Sequence, residues 1–105
     1  MKTINRIKFG TDGWRDVIGE NYTFDNVRSV AQATADYFKQ NRPNKTKKIA
    51  VIGFDRRFLS DEFAQLVAEI MAGNGFKVLI ADGPVPTPVV SWHTHKQKAC
   101  FGIMI

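Results

Sequence analysis

The sequence predicts one α/β domain, on three observations. Two short runs, residues 49–54 and 76–81, are almost wholly apolar, as strands covered on both faces read. The segments between such runs repeat apolar residues at three- and four-residue spacing, as amphipathic helices do. Strand-like and helix-like segments alternate along the whole chain, the order of a layered fold. At 105 residues the chain has room for one modest core.

The elements follow in order. Residues 5–9 read as a short strand running into a tight loop, Gly10-Thr11-Asp12-Gly13-Trp14-Arg15, whose glycines permit a sharp turn or close approach of a ligand. A helix is predicted from Thr23, which can cap it, with Asp25 in the first turn. Its apolar face is read as Val27, Val30, Ala31, Thr34, Tyr37 and Phe38, and Pro43 ends it. The apolar strand 49–54 leads into Asp55-Arg56-Arg57-Phe58-Leu59-Ser60. There Ser60 reads as the N-cap of a second helix, followed by Asp61 and Glu62. Phe63, Leu66, Val67, Ile70 and Met71 form its buried stripe, and Asn74-Gly75 its stop. After strand 76–81 comes a loop of residues 82–88, with Thr87 as cap and Pro88 at N1 of a third helix anchored by Val89, Val90 and Trp92. Residues 99–105 read as a last strand. The expected sheet thus has four strands, near Ile7, Val51, Leu79 and Ile103, inside an α/β/α sandwich.

Composition narrows the function classes. Hydrophobic residues make up 44% and charged residues 24%, an ordinary globular balance. No apolar run approaches the ~20 residues of a membrane span, and no signal-peptide pattern stands at the N-terminus. The formal net charge is +5, but Lys39, Arg42, Lys45, Lys47 and Lys48 surround Asn and Pro where a solvated loop is expected. With no recognition motif, no nucleic-acid partner is expected. A positive bias also suits a negatively charged small substrate. Cys100 is the single cysteine; it fits a reducing, cytoplasmic setting and reads as a small buried hydrophobe.

Chemistry concentrates in the polar loops. Thr11, Asp12 and Arg15 among glycines offer backbone N–H groups and an arginine fork, which phosphate oxygens need, although the same residues also make an ordinary glycine turn. Neither a Walker A loop nor a Gly-x-Gly-x-x-Gly turn is present. Asp55 and Arg57 read first as a structural ion pair, with Arg56 solvated. Ser60 lacks a recognisable base and is not a nucleophile candidate. His93 and His95, two apart on a helix, point in different directions and lack further ligands, so no metal site is expected. Trp14 is taken as a packing anchor, with a ligand platform as the alternative.

Together these segments resemble the α-D-phosphohexomutases, the family of phosphoglucomutase and phosphomannomutase. Phe9-Gly10-Thr11-Asp12-Gly13-Trp14-Arg15 is similar to the family's N-terminal motif. Residues 53–60 follow its Gly-x-Asp-x-Arg-x-x-Ser landmark, Gly83, Thr87 and Pro88 its Gly…Thr-Pro region, and Gly102-Ile103-Met104-Ile105 the strand before its catalytic serine loop. Asp16 departs from the glycine that often follows the motif arginine.

The resemblance implies a mixed sheet. It also implies a parent enzyme that interconverts hexose 1-phosphate and hexose 6-phosphate, of glucose or mannose, through a phosphoserine and a bisphosphorylated sugar. It further implies Mg²⁺ and a hexose 1,6-bisphosphate activator in the parent. Arg15 would contact the phosphoserine and Thr11 help shape that site, with Gly10, Gly13, Asp55 and Arg57 supporting the phosphate wall. Neither the nucleophile nor the metal ligands are expected within residues 1–105. The chain reaches Ile105 inside an apolar strand, where a functional loop should begin. It is therefore expected to be domain I of a larger enzyme, inactive alone, with the remaining domains as partners and a tendency to self-associate. Two rival readings are a free-standing phosphate or small-molecule binding module and an interaction domain.

Overall fold

A computed structural model of the chain describes residues 9–10, 13–14 and 23–105. Five strands and three helices appear among them: β1 (Phe9–Gly10), β2 (Gly13–Trp14), α1 (Phe24–Gln40), β3 (Lys47–Gly53), α2 (Ser60–Gly73), β4 (Lys77–Ile80), α3 (Thr87–Lys96) and β5 (Ala99–Met104). β1 and β2 form a two-residue antiparallel ladder that pairs Phe9 with Trp14 and Gly10 with Gly13.

The main sheet has the order β4-β3-β5, and both pairings are parallel. Val51 of the central strand stands opposite Leu79 on one side and Gly102 on the other. The connection β3–α2–β4 moves outward, and β4–α3–β5 returns across β3. With one hand of crossover, α2 and α3 must then cover opposite faces. The two cores agree. Ala50, Ile52 and Phe54 pack with residues of α1 and α2, whereas Ile49 and Val51 pack with Val90 of α3. Strict alternation along a strand that is buried on both sides explains why residues 49–54 carry no polar face.

Capping follows local chemistry. Thr23 caps α1, its hydroxyl accepting from the Asn26 N–H at 3.2 Å. α2 closes in a Schellman turn: the Gly75 N–H donates to Ala72 O and the Phe76 N–H to Met71 O, with Gly75 at φ +86°. Gly53, the last residue of β3, lets α3 sit directly on the strand, since a β-carbon there would strike Val90 and come within 2.9 Å of Val85 Cγ2.

Several expectations need correction. The sheet described has three parallel strands rather than four in a mixed arrangement, and the strand expected near Ile7 lies outside the described residues. α3 begins one residue early: Pro86 is the cap position, Thr87 is helical and makes no capping bond. Pro88 is tolerated one position further in because the first turn has no intrahelical acceptors for its N–H groups. Tyr37 and Trp92 are exposed. Ala35, not Tyr37, completes the buried face of α1, while Trp92 lies under the Lys96 ammonium at 4.7 Å. Cys100 is buried as expected. Burial pushes its thiol pKa up, opposed by the Arg42 charge, so it is a poor thiolate.

Candidate functional site

Three chain segments meet at the carboxyl end of the parallel sheet. Strand β3 runs on so that the Ile105 N–H donates to Gly53 O at 2.9 Å and the Asp55 N–H donates to Ile105 O at 3.3 Å. On the other side the Ala81 N–H donates to Ile52 O and the Val85 N–H to Phe54 O, both at 2.9 Å. The loop after β3 is therefore tied to the ends of both neighbouring strands, the place where open α/β sheets carry their ligands.

Asp55 organises that loop. Its Oδ1 accepts from the Arg57 N–H at 2.9 Å and from the Ser60 hydroxyl at 2.8 Å, and its Oδ2 accepts from Arg57 Nε at 2.6 Å. The bond to the backbone two residues on is the Asx turn that aspartate favours. Asp55 is one-third exposed and Arg57 69% exposed. Partial burial alone would raise the Asp55 pKa. The Arg57 N–H, the Ser60 hydroxyl and the Arg57 guanidinium outweigh it and hold the carboxyl below its ordinary value. The carboxylate is thus ionised at neutral pH, a weak base and a strong acceptor.

The expected Asp55–Arg57 pair is present, and Arg56 is exposed. The expected N-cap role of Ser60 is not. Leu59 occupies the cap position in the left-handed region at φ 63°, without a side-chain cap bond. Such a conformation costs a non-glycine residue roughly 1–2 kcal/mol. It turns Ser60 inward, where its hydroxyl goes to Asp55 instead of to helix N–H groups. At 4% exposure Ser60 is out of reach of a substrate, and its acceptor is a depressed carboxylate, so proximity to Asp55 does not make it a nucleophile. Sequence reasoning missed this link; an Asp five residues before a Ser at a strand–helix junction was the available signal.

Gly10 and Gly13 face each other across the β1–β2 ladder. Thr11 and Arg15 lie outside the described residues. Among the described residues no group of three or more His, Cys, Asp or Glu could hold a metal ion; both Asp55 oxygens are engaged, and His93 and His95 are exposed. Beside the site a concavity of about 340 Å³ opens between α3 and strands β3 and β4. Val51, Leu79, Val85 and Val89 line it, with Asp82 and His93 also contributing.

Residues 6–105 match the family described as phosphoglucomutase/phosphomannomutase, alpha/beta/alpha domain I. A phosphoribomutase of Saccharomyces cerevisiae is 37% identical over 96% of this chain and 17% of its own length. A phosphoglucomutase of Staphylococcus saprophyticus is 36% identical over 94% of this chain and 18% of its own. A phosphoglucosamine mutase of Sulfurovum sp. is 37% identical over 92% and 21%. Among solved structures, a Thermus thermophilus protein assigned as a phosphomannomutase superposes with a TM-score of 0.85 at 38% identity, over 93% of this chain and 22% of that one. The chain therefore spans about a fifth of the length of the relatives it matches.

Proposed function

We propose that this chain, which belongs to the phosphoglucomutase/phosphomannomutase α/β/α domain I family, is the first domain, residues 1–105, of a phosphohexomutase and forms one wall of its phosphate site. The parent interconverts hexose 1-phosphate and hexose 6-phosphate, of glucose or mannose, through a phosphoserine and a bisphosphorylated sugar. The observation that supports this reading is the arginine braced by Asp55 at the joined ends of β3 and β5.

Phosphoryl transfer asks a protein chiefly to position the phosphate and to offset its charge. Arg57 suits both tasks. Asp55 takes its backbone N–H and Nε, and among the described residues no hydrogen bond engages its two terminal amino groups. A fork held by one edge keeps its other donors for phosphate oxygens. Arg15 supplies a second cation beside the phosphoserine, and Thr11 with the backbone of Gly10 and Gly13 shapes the surrounding turn.

Mg²⁺ in the parent would supply charge compensation for a phosphoryl group. The described residues do not fit it, since no donor set is assembled, and its ligands belong to other domains. Hexose 1,6-bisphosphate restores the phosphoserine. A cytoplasmic setting fits the single buried cysteine; no helix among the described residues is long and apolar enough to cross a membrane. Names among the relatives span glucose, glucosamine and ribose phosphates, and we read the sugar preference of the parent as set outside this domain. None of those names supports a free-standing module.

The test is Arg15→Ala in the parent. Turnover of glucose 1-phosphate should fall ~100-fold, as when one oxyanion donor is lost, with the melting temperature nearly unchanged. Wild-type turnover in the variant defeats the assignment.

A further inference from the structure

We infer that Ser60 is a positioning residue for phosphoryl transfer, acting through Asp55 on the Arg57 guanidinium. This rests on the site reading above. Ser60 is the buried polar residue of the described core, and a buried hydroxyl must find a partner. The orphan N–H groups of the first turn would have served had the helix begun one residue later, with Ser60 at the cap position. Instead Leu59 adopts a left-handed conformation at the cap position, and the Ser60 hydroxyl donates to Asp55 Oδ1 at 2.8 Å. Strain accepted to aim one side chain at another is a mark of a site that needs fixed geometry.

The consequence for Arg57 follows from how the carboxylate is held. Oδ1 accepts two bonds, from Ser60 and from the Arg57 N–H, while Oδ2 meets Arg57 Nε. The Arg57 N–H comes from the same loop, whose backbone is joined to α2 by the Ser60 N–H donating to Arg57 O at 3.1 Å. Ser60 sits on the first turn of a 14-residue helix whose buried face includes Phe63, Val67 and Met71. The serine hydroxyl is therefore the direct side-chain connection between the carboxylate and α2, and it shares Oδ1 with the Arg57 N–H. Without it one of the two bonds at Oδ1 is lost, the carboxylate is freer to turn about its side-chain bond and carry Oδ2 off the line of Nε, and the Arg57 guanidinium, on a side chain 69% exposed, has no other described bond to direct it. The charge stays in the site but loses its orientation. Loss of orientation weakens stabilisation of a transition state more than it weakens binding of the ground state.

Two measurements separate this inference from the reading it rests on. In the chain itself, NMR follows the Asp55 carboxyl titration and the hydrogen exchange of Arg57 Nε–H. Ser60→Ala should raise the Asp55 pKa and speed that exchange several-fold; unchanged values overturn the inference whatever the enzyme does. In the longer enzyme, kcat and KM for glucose 1-phosphate are measured for wild type, Ser60→Ala, Arg57→Ala and the double variant. Ser60→Ala should lower kcat roughly ten-fold with KM within about two-fold, and should cost nothing further once Arg57 is alanine. Additive losses, or wild-type kcat in Ser60→Ala beside an impaired Arg57→Ala, overturn the positioning role and leave the site reading standing. An inactive wild-type enzyme, or an unimpaired Arg57→Ala, overturns the site reading instead, and the NMR result then decides the Ser60–Asp55–Arg57 coupling.

Discussion

Asp55→Asn changes one atom and should destabilise the domain in a pH-dependent way. The amide keeps an oxygen for the Ser60 hydroxyl and the Arg57 N–H, but it sets an NH₂ group against Arg57 Nε, where a carboxylate oxygen now accepts at 2.6 Å. Bonds to a charged acceptor contribute about 1.5–3 kcal/mol and neutral ones about 0.5–1.5. The two bonds retained at Oδ1 therefore lose roughly 1 kcal/mol each. The Arg57 ion pair is exposed enough to be screened and adds at most about 1 kcal/mol. The expected loss at pH 7 is about 2–3 kcal/mol, or on the order of 10–20 °C in melting temperature for a domain of this size. The sign with pH follows from the lowered pKa. The unfolded carboxyl titrates near ~3.9, so its contribution is complete above that value and is lost as pH falls through the lower folded value. Urea unfolding of both proteins at pH 7 and again below pH 3 measures the gap. It should narrow in acid; a gap that is equal at both pH values, or absent at pH 7, refutes the charged-acceptor account.

Two further outcomes follow from the packing. Gly53→Ala drives a methyl into Val90 and Val85 and should cost about 1–3 kcal/mol by lifting α3 from the sheet; unchanged urea stability would show that α3 yields freely. The chain should also self-associate weakly through a sheet edge. Phe101 is spent on its own core, stacked on Phe38 at 4.5 Å, but Ile103 and Met104 are only half-buried and Ile80 is exposed; sedimentation that stays monomeric at high concentration contradicts this.

Sequence legibility tracked how strongly one physical term dominated. The run 49–54 reads as a strand buried on both sides, and the alternation of Ile49 and Val51 against Ala50 and Ile52 between two cores bears this out. Thr23 and Asn74-Gly75 were readable because a cap and a Schellman turn are local. Tyr37 and Trp92 misled because a large aromatic counts heavily in any apolar pattern, while Ala35, fully buried, contributes little to it. Thr87 was placed one residue off because Pro-Thr-Pro fits either register of a helix start.

In the site, the Asp55–Arg57 pair was legible from two residues in one loop. Ser60 was not, because a serine before two acids is the usual cap, and only the left-handed Leu59 diverts it. The sheet differs most from expectation: three parallel strands are described, whereas the fourth strand and the mixed order came from the segment near Ile7 and from family resemblance.

The most direct measurement compares this chain alone with the proposed longer enzyme, following glucose 1-phosphate and glucose 6-phosphate with Mg²⁺ and glucose 1,6-bisphosphate supplied. Sustained turnover by the longer enzyme and none by the purified chain is the predicted result, because the chain is proposed to offer only one wall of a phosphate site, and Ser60, the serine at that wall, is buried against Asp55. Turnover by the chain alone, abolished by Arg15→Ala, would contradict the account.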